Sequence, residues 1–228
     1  MNIKICTVVT GKNLNDFLKN LEQIQAISNM VELRVDYISN LKLENIQTIK
    51  SKIKKETIFT CRKKQEGGEF QGSEKERVNI ILEAIKLGFD YVDIELSSCN
   101  SFSFPKKINS KIICSFHDFK KTPSLKNLQS TLEKMNKYKI DIKKIATFIN
   151  CEKDIQNLFY VLIHRKANEK IIAIGMGEKG KITRILGPLL GSFLTFASTN
   201  KTESAPGQIN IIKLKQLWQE IHLDNCSG

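Results

Sequence analysis

Eight short β-branched runs, amphipathic stretches of helical period between them, and a length close to that of one closed barrel together predict an α/β fold, a (β/α)8 TIM barrel forming a single domain over residues 1–228. The strand candidates are residues 3–9 (IKICTVV), 31–37 (VELRVDY), 57–62 (TIFTCR), 91–96 (YVDIEL), 111–117 (KIICSFH), 144–149 (KIATFI), 170–176 (KIIAIGM) and 192–198 (SFLTFAS). The first helical pattern, NDFLKNLEQIQAI, places Phe17, Leu18, Leu21, Ile24 and Ile27 on one stripe. EKERVNIILEAIKLG, SLKNLQSTLEKMNKY, EKDIQNLFYVLIHRK and INIIKLKQLWQEI follow the same period, with Gly88 closing one helix and Thr122-Pro123 preceding another. An open doubly wound sheet is the competing architecture. It normally carries a phosphate-binding glycine loop after its first strand, and TGKNLND has neither GxGxxG nor Walker A spacing. Gly175-Met176-Gly177 is a lone GxG after the seventh strand and weak evidence by itself.

Hydrophobic residues at 41% and charged residues at 26% place the chain among soluble globular proteins. No apolar run approaches the ~20 residues that a membrane span needs. The N-terminus, MNIKICTVVTGKN, reads as a first strand, not a signal peptide. Six cysteines at 6, 61, 99, 114, 151 and 226 form no CxxC pair, so reduced thiols are expected ahead of a zinc site or a disulfide framework. A net charge of +12 raises the question of nucleic acid. Against that reading, arginine stands only at 34, 62, 77, 165 and 184, and the lysines are spread along the chain. Attraction of a small anionic substrate accounts for the charge equally well.

Side chains alternate along a strand, so Glu32, Arg34 and Asp36 share one face and Leu33 and Val35 the other. In a barrel the outer face lies under helices and must be apolar, which turns the charges inward. An exposed edge strand with a solvated face is the plainer reading of the same pattern. Arg62 ends the third strand, Glu95 lies near the end of the fourth, and His117 ends the fifth. These are the positions from which barrel enzymes build their active face. Lys144 shares a face with Ala146 and Phe148, opposite Ile145, Thr147 and Ile149. That parity points it into the barrel, where burial disfavours the ammonium form and favours a nucleophilic amine. The alternative is a solvated lysine at the strand entry, beside Lys143 and Lys139. Arg184 can clamp a carboxylate bidentately, and Ser204 and Gln208 of SAPGQ can complete that clamp or simply form a turn before the last helix.

At these residues the chain resembles the type I 3-dehydroquinate dehydratases. The shared blocks are ELRVD (32–36), TCRKKQEGGEFQG (60–72), DIEL (93–96), SFHDFKKTP (115–123), KIATF (144–148), the Arg184 segment and SAPGQ (204–208). Their order and spacing cover residues 3 to 222. The resemblance implies that Lys144 forms an imine with the C3 ketone of 3-dehydroquinate. It implies that His117 removes a C2 proton and protonates the departing hydroxyl, with Glu66 orienting it. Arg184, Ser204 and Gln208 would hold the substrate carboxylate, while Glu32, Arg34 and Arg62 form a polar wall around the ring hydroxyls. It further implies a cytoplasmic homodimer with no cofactor, no metal, no nucleic-acid partner and no membrane association. One departure is Gly175-Met176-Gly177, where relatives carry a more side-chain-rich, MSM-like stretch. A Schiff-base aldolase acting on a sugar phosphate and a non-enzymatic basic binding protein are the competing functions. EGGEF and FHDF argue against the first, and the lack of an RNP-like aromatic motif against the second.

Overall fold

The computed structural model describes residues 3–102, 108–199 and 205–220. In chain order the elements are β1 (Ile5–Val9), α1 (Leu14–Gln25), β2 (Met30–Arg34), α2 (Leu43–Ser51), β3 (Glu56–Thr60), α3 (Glu74–Lys86), β4 (Tyr91–Glu95) and β5 (Lys111–Asp118). There follow α4 (Leu125–Met135), β6 (Ile142–Phe148), α5 (Glu152–Ile163), β7 (Ile171–Met176), α6 (Lys181–Leu186), β8 (Thr195–Ser198), β9 (Ile209–Asn210) and α7 (Ile211–Glu220). The strands form one sheet in the order β7-β6-β5-β4-β3-β2-β1-β8-β9, and every pairing is parallel. A parallel bridge between Ile171 and Ser192 joins β7 to the segment that leads into β8, with the Phe193 N–H donating to Ile171 O at 2.8 Å. The sheet therefore closes into the expected barrel, and all eight anticipated strands are present.

Local signals start and stop the helices, Gly88 among them as anticipated. Asn13 caps α1 by accepting from Asp16 N at 2.9 Å. Ser73 and Glu76 form a reciprocal capping box on α3, and Gly88 ends that helix at φ +69°. The sequence reading missed two helices. LENIQTIKS (α2) buries only Ile46 and Ile49, too short a stripe to register as periodic. KITRIL (α6) spans six residues between Gly180 and Gly187. Strand ends also need correction: Val35–Tyr37 is a 3-10 turn, so Asp36 lies beyond β2, and Leu96–Ser101 is another turn beyond β4. At the C-terminal rim the chain leaves the sheet to build loops, which β propensity alone does not foresee.

Parity sorts the side chains. Leu33, Phe59, Val92 and Ile94 face outward and pack with Phe17, Leu21 and Ile81 of the helices. Ile145, Ile149 and Ala173 do the same with Leu158 and Leu162 of α5. The inward set changes character along each strand. Met30, Tyr91, Ile113, Ile142 and Ile172 make an apolar plug at the N-terminal end. Two and four residues later the same inward faces carry Glu32 and Arg34, Asp93 and Glu95, Ser115 and His117, and Lys144. The charged half of the barrel thus rests on a packed apolar half. Among the described residues no helix is long and apolar enough to cross a membrane.

Candidate active site

Ion pairing makes the charged layer tolerable at such burial. Asp93 is its centre. Oδ1 accepts Ser115 Oγ at 2.6 Å and pairs with Arg62 Nη2 at 2.9 Å, while Oδ2 accepts Lys144 Nζ at 3.0 Å. Arg62 also reaches Glu95 Oε1 at 3.0 Å and Ser115 Oγ at 2.9 Å through Nη1. Burial alone would raise the Asp93 carboxyl, but Arg62 and Lys144 overcome it and hold it well below the usual carboxylate range. Glu32 Oε1 accepts Thr60 Oγ1 at 3.0 Å and lies 3.5 Å from Lys144 Nζ. Lys144 lies over the Phe196 ring, 4.6 Å from its centroid.

Arg34 is clamped bidentately by Asp36, at 2.9 Å from Nε and 2.7 Å from Nη2, and donates to Gly67 O at 3.3 Å. Asp36 also accepts the Glu69 N–H at 3.1 Å. These contacts tie the end of β2 to the Gly67-Gly68 loop. Gly67 has φ +76°, and a Cβ there would strike the Phe119 ring at 2.1 Å, so glycine meets both a backbone and a packing demand. Among the described residues no fully buried side-chain nitrogen or oxygen lacks a hydrogen-bond partner.

His117 sits beside this network. Its Nδ1 lies 3.1 Å from Glu66 Oε2, and its ring stacks on Phe119. Burial lowers its pKa well below the ordinary histidine value, and the cations Arg62, Lys144 and Arg34 lower it further, opposed by Asp93. The imidazole is therefore neutral at pH 7. In the tautomer whose Nδ1–H donates to Glu66 Oε2, Nε2 is left unprotonated.

These groups converge on one pocket. It is lined by Glu32, Arg34, Arg62, Glu66, His117, Lys144, Arg184 and Gln208, with Ala146, Ile174, Met176 and Phe196 as an apolar wall. About 480 Å³ of non-protein space lies within it, open solvent at the mouth included. Arg184 projects from α6, is 1% exposed, and donates from Nε to Gly207 O at 3.1 Å. Every anticipated site residue within the described set lies in or beside this pocket. Asp36 acts on it through Arg34, and Ser204 falls outside the described residues. Lys143, the neighbour of Lys144, instead pairs with Glu169.

The Gly175-Met176-Gly177 departure has a packing cause. A Cβ on Gly175 would stand 2.7 Å from the Ile149 side chain and 3.0 Å from Gly180, and Gly177 has φ +81°. Met176 still lines the pocket. Sequence reasoning missed Asp93, although Tyr91, Asp93 and Glu95 alternate on one face of β4 as Glu32 and Arg34 do on β2. Ser115 was missed too, because a neutral serine gives no charge signal.

A family model described as type I 3-dehydroquinase matches residues 5–225. A 3-dehydroquinate dehydratase from Coxiella burnetii is 41% identical over 219 residues, covering 96% of this chain and 94% of its own length. The crystal structure of 3-dehydroquinate dehydratase from Geobacillus kaustophilus superposes with a TM-score of 0.87 at 25% identity, covering 99% of this chain and 93% of that one. A type I 3-dehydroquinate dehydratase from Clostridium difficile, solved with covalently modified comenic acid, gives a TM-score of 0.84 at 30% identity, covering 97% and 93%.

Proposed function

Because the chain belongs to the type I 3-dehydroquinase family, we propose that it is a hydro-lyase that eliminates water from 3-dehydroquinate to give 3-dehydroshikimate through a Schiff base on Lys144. The observation that carries this reading is the register of β5 and β6. Ser115 lies opposite Lys144 and His117 opposite Ala146, so the histidine stands one inward position closer to the mouth than the lysine. A ketone carbon bound to Lys144 Nζ then presents its neighbouring C–H to the His117 side of the pocket.

Lys144 Nζ gives up an ammonium proton and its free amine attacks the C3 ketone; two of the ammonium protons leave with the carbonyl oxygen as water, and a protonated imine remains. The imine is an electron sink beside C2, so removal of the C2 proton gives an enamine in place of a poorly stabilised carbanion. Nε2 of His117 takes that proton and returns one to the departing C1 hydroxyl, so a single imidazole serves as base and then acid. Glu66 holds Nδ1–H throughout. Water then hydrolyses the imine and frees Lys144. Arg184 binds the substrate carboxylate, with Gln208 and Ser204 beside it, while Glu32, Arg34 and Arg62 face the ring hydroxyls. The arginine wall also lowers the proton affinity of His117, which keeps the base free at neutral pH.

Family membership sets aside the sugar-phosphate aldolase and the basic binding protein. The same reading gives a single barrel domain acting as a cytoplasmic homodimer in the shikimate pathway of aromatic amino acid synthesis, without a metal or cofactor. The test is borohydride reduction in the presence of 3-dehydroquinate, followed by mass spectrometry of the peptides. A substrate-dependent adduct on Lys144, absent from Lys144→Ala, supports the covalent route. Turnover of 3-dehydroquinate without any adduct would overturn the Schiff base, and an adduct on Lys143 would overturn the choice of nucleophile.

A further inference from the structure

Ser97 belongs to none of the residues assigned above. It sits on the turn after β4, exposed at the rim. Its Oγ donates to Glu66 Oε1 at 2.6 Å, and the other carboxylate oxygen of Glu66 faces His117 Nδ1 at 3.1 Å. Lys63 Nζ donates to the same Ser97 Oγ at 2.6 Å and to Ser98 Oγ at 3.2 Å, and lies 3.8 Å from Glu66 Oε1. Four side chains from three segments stand in one line: Lys63, Ser97, Glu66, His117.

We propose that Ser97, with its hydroxyl aimed by Lys63, is the positioning residue that fixes Glu66 and, through it, the tautomer and direction of His117. The proposal rests on the reading of His117 as the base. Donor arithmetic carries it. An ammonium group has only donors, so Lys63 occupies the Ser97 oxygen as an acceptor. The one serine proton must then point elsewhere, and Glu66 Oε1 is where it goes. Both carboxylate oxygens of Glu66 are thereby tethered, one by the serine and one by the imidazole Nδ1–H. Glu66 needs this second tether because it ends a three-residue 3-10 turn (Lys64–Glu66), where no regular element holds its side chain.

The electrostatics run the same way. Burial raises the Glu66 pKa, and the Ser97 hydrogen bond, Arg62 and Lys63 oppose it, while Glu95 adds to the rise. His117 is faced by Arg62, Lys144 and Arg34, which disfavour its protonation, and by Asp93, which favours it. Removing the serine donor therefore makes Glu66 easier to protonate. A protonated Glu66 cannot serve the histidine as a charged acceptor.

The test uses the full chain with Ser97→Ala, Ser97→Thr and Lys63→Met. Because Ser97 is exposed, the alanine variant is expected to melt with the wild type. For Ser97→Ala, kcat should fall about three- to tenfold, the loss of one hydrogen bond, with KM unchanged. The acid limb of its kcat–pH profile should move to higher pH, and the yield of borohydride-trapped imine should stay at the wild-type level. Ser97→Thr should restore kcat and profile together, and Lys63→Met should shift both in the alanine direction by less. Imidazole ¹⁵N spectra of the resting protein, with the His117 signal identified by its loss in His117→Asn, should show Nδ1–H in wild type and mixed tautomers in Ser97→Ala. Wild-type kcat and pH profile in Ser97→Ala, or a loss that threonine does not rescue, would overturn the proposal. So would an unchanged His117 tautomer, a readout independent of turnover. A wild-type protein that leaves 3-dehydroquinate unconsumed would instead overturn the function on which it rests.

Discussion

Replacing Asp93 by asparagine keeps the side chain's shape and removes the charge at the centre of the buried network. The carboxylate serves three donors: Arg62 Nη2 and Ser115 Oγ on one oxygen, Lys144 Nζ on the other. An amide has one acceptor oxygen and one NH2 group. Turned one way, its NH2 faces Lys144; turned the other, it faces Arg62 and Ser115. Either orientation sacrifices a charge-assisted hydrogen bond worth about 1.5–3 kcal/mol and leaves a cation short of compensation. Removing one partner of a buried pair costs about 3–5 kcal/mol. Lys144 still has Glu32 at 3.5 Å and Arg62 still has Glu95 at 3.0 Å, which argues for the lower end, about 3 kcal/mol. For a chain of this length that is a fall in Tm of about 6–12 °C. Urea unfolding should show a lower midpoint with an unchanged slope. The pH dependence has a definite sign. Asp93 is held below its ordinary value, so its contribution is fully present above about pH 4 and is lost only as pH falls through the depressed value. The gap between variant and wild type should therefore be flat from about pH 7 to about pH 9. A variant within about 1 kcal/mol of wild type would mean that water already screens these charges, refuting the account of a desolvated network.

Three further outcomes follow from the same geometry. His117→Ala should still form a borohydride-reducible imine while its turnover slows by ~10²–10⁴-fold, and normal turnover would remove the imidazole from the mechanism. Arg184→Ala should raise KM and lower kcat/KM by about 10- to 100-fold, the worth of one charge-assisted carboxylate contact, and unchanged constants would sink that assignment. The lowered pKa of His117 places the acid limb of kcat/KM below about pH 6.5. The folded state binds that proton less readily than the unfolded chain, so stability should decline as pH falls below about 6.5. A midpoint at or above pH 7 would contradict the burial argument.

Strand parity made much of the barrel and its charged lining legible in advance. The alternation in ELRVD and KIATF turns Glu32, Arg34 and Lys144 inward, and the structure buries all three there. The same alternation was available in YVDIEL and would have found Asp93. What parity cannot reach are residues off the strands. Glu66 sits on a 3-10 turn whose only sequence trace is the EGGEF block, and Ser97 is one of several serines in a loop. Arg77 is an extreme case. A helix position in a charged stretch reads as solvated, yet it is fully buried, binding Glu95 Oε2 at 2.7 Å, Cys61 O at 2.7 Å and Glu74. Its partners lie on three segments, and no local pattern brings them together.

One strand rule builds both the core and the site, and the two depend on each other. The apolar plug below excludes water from the layer above, which gives the ion pairs their cost and their strength. Arg62 is met by Asp93 and Glu95, Arg34 by Asp36, and Arg77 by Glu95 and Glu74. His117 is the one site histidine exposed to this field, and burial together with three cations holds it neutral. Enlarging or wetting the plug, as in Ile142→Ala, would therefore act on two quantities at once. It would cost about 2–5 kcal/mol of stability. It would also raise the His117 pKa toward its ordinary value by admitting solvent around the charged layer. Stability and base strength should move together across a series of plug variants if the layers are coupled as described. Variants that lose stability while the acid limb of kcat/KM stays in place would show the two layers to be independent.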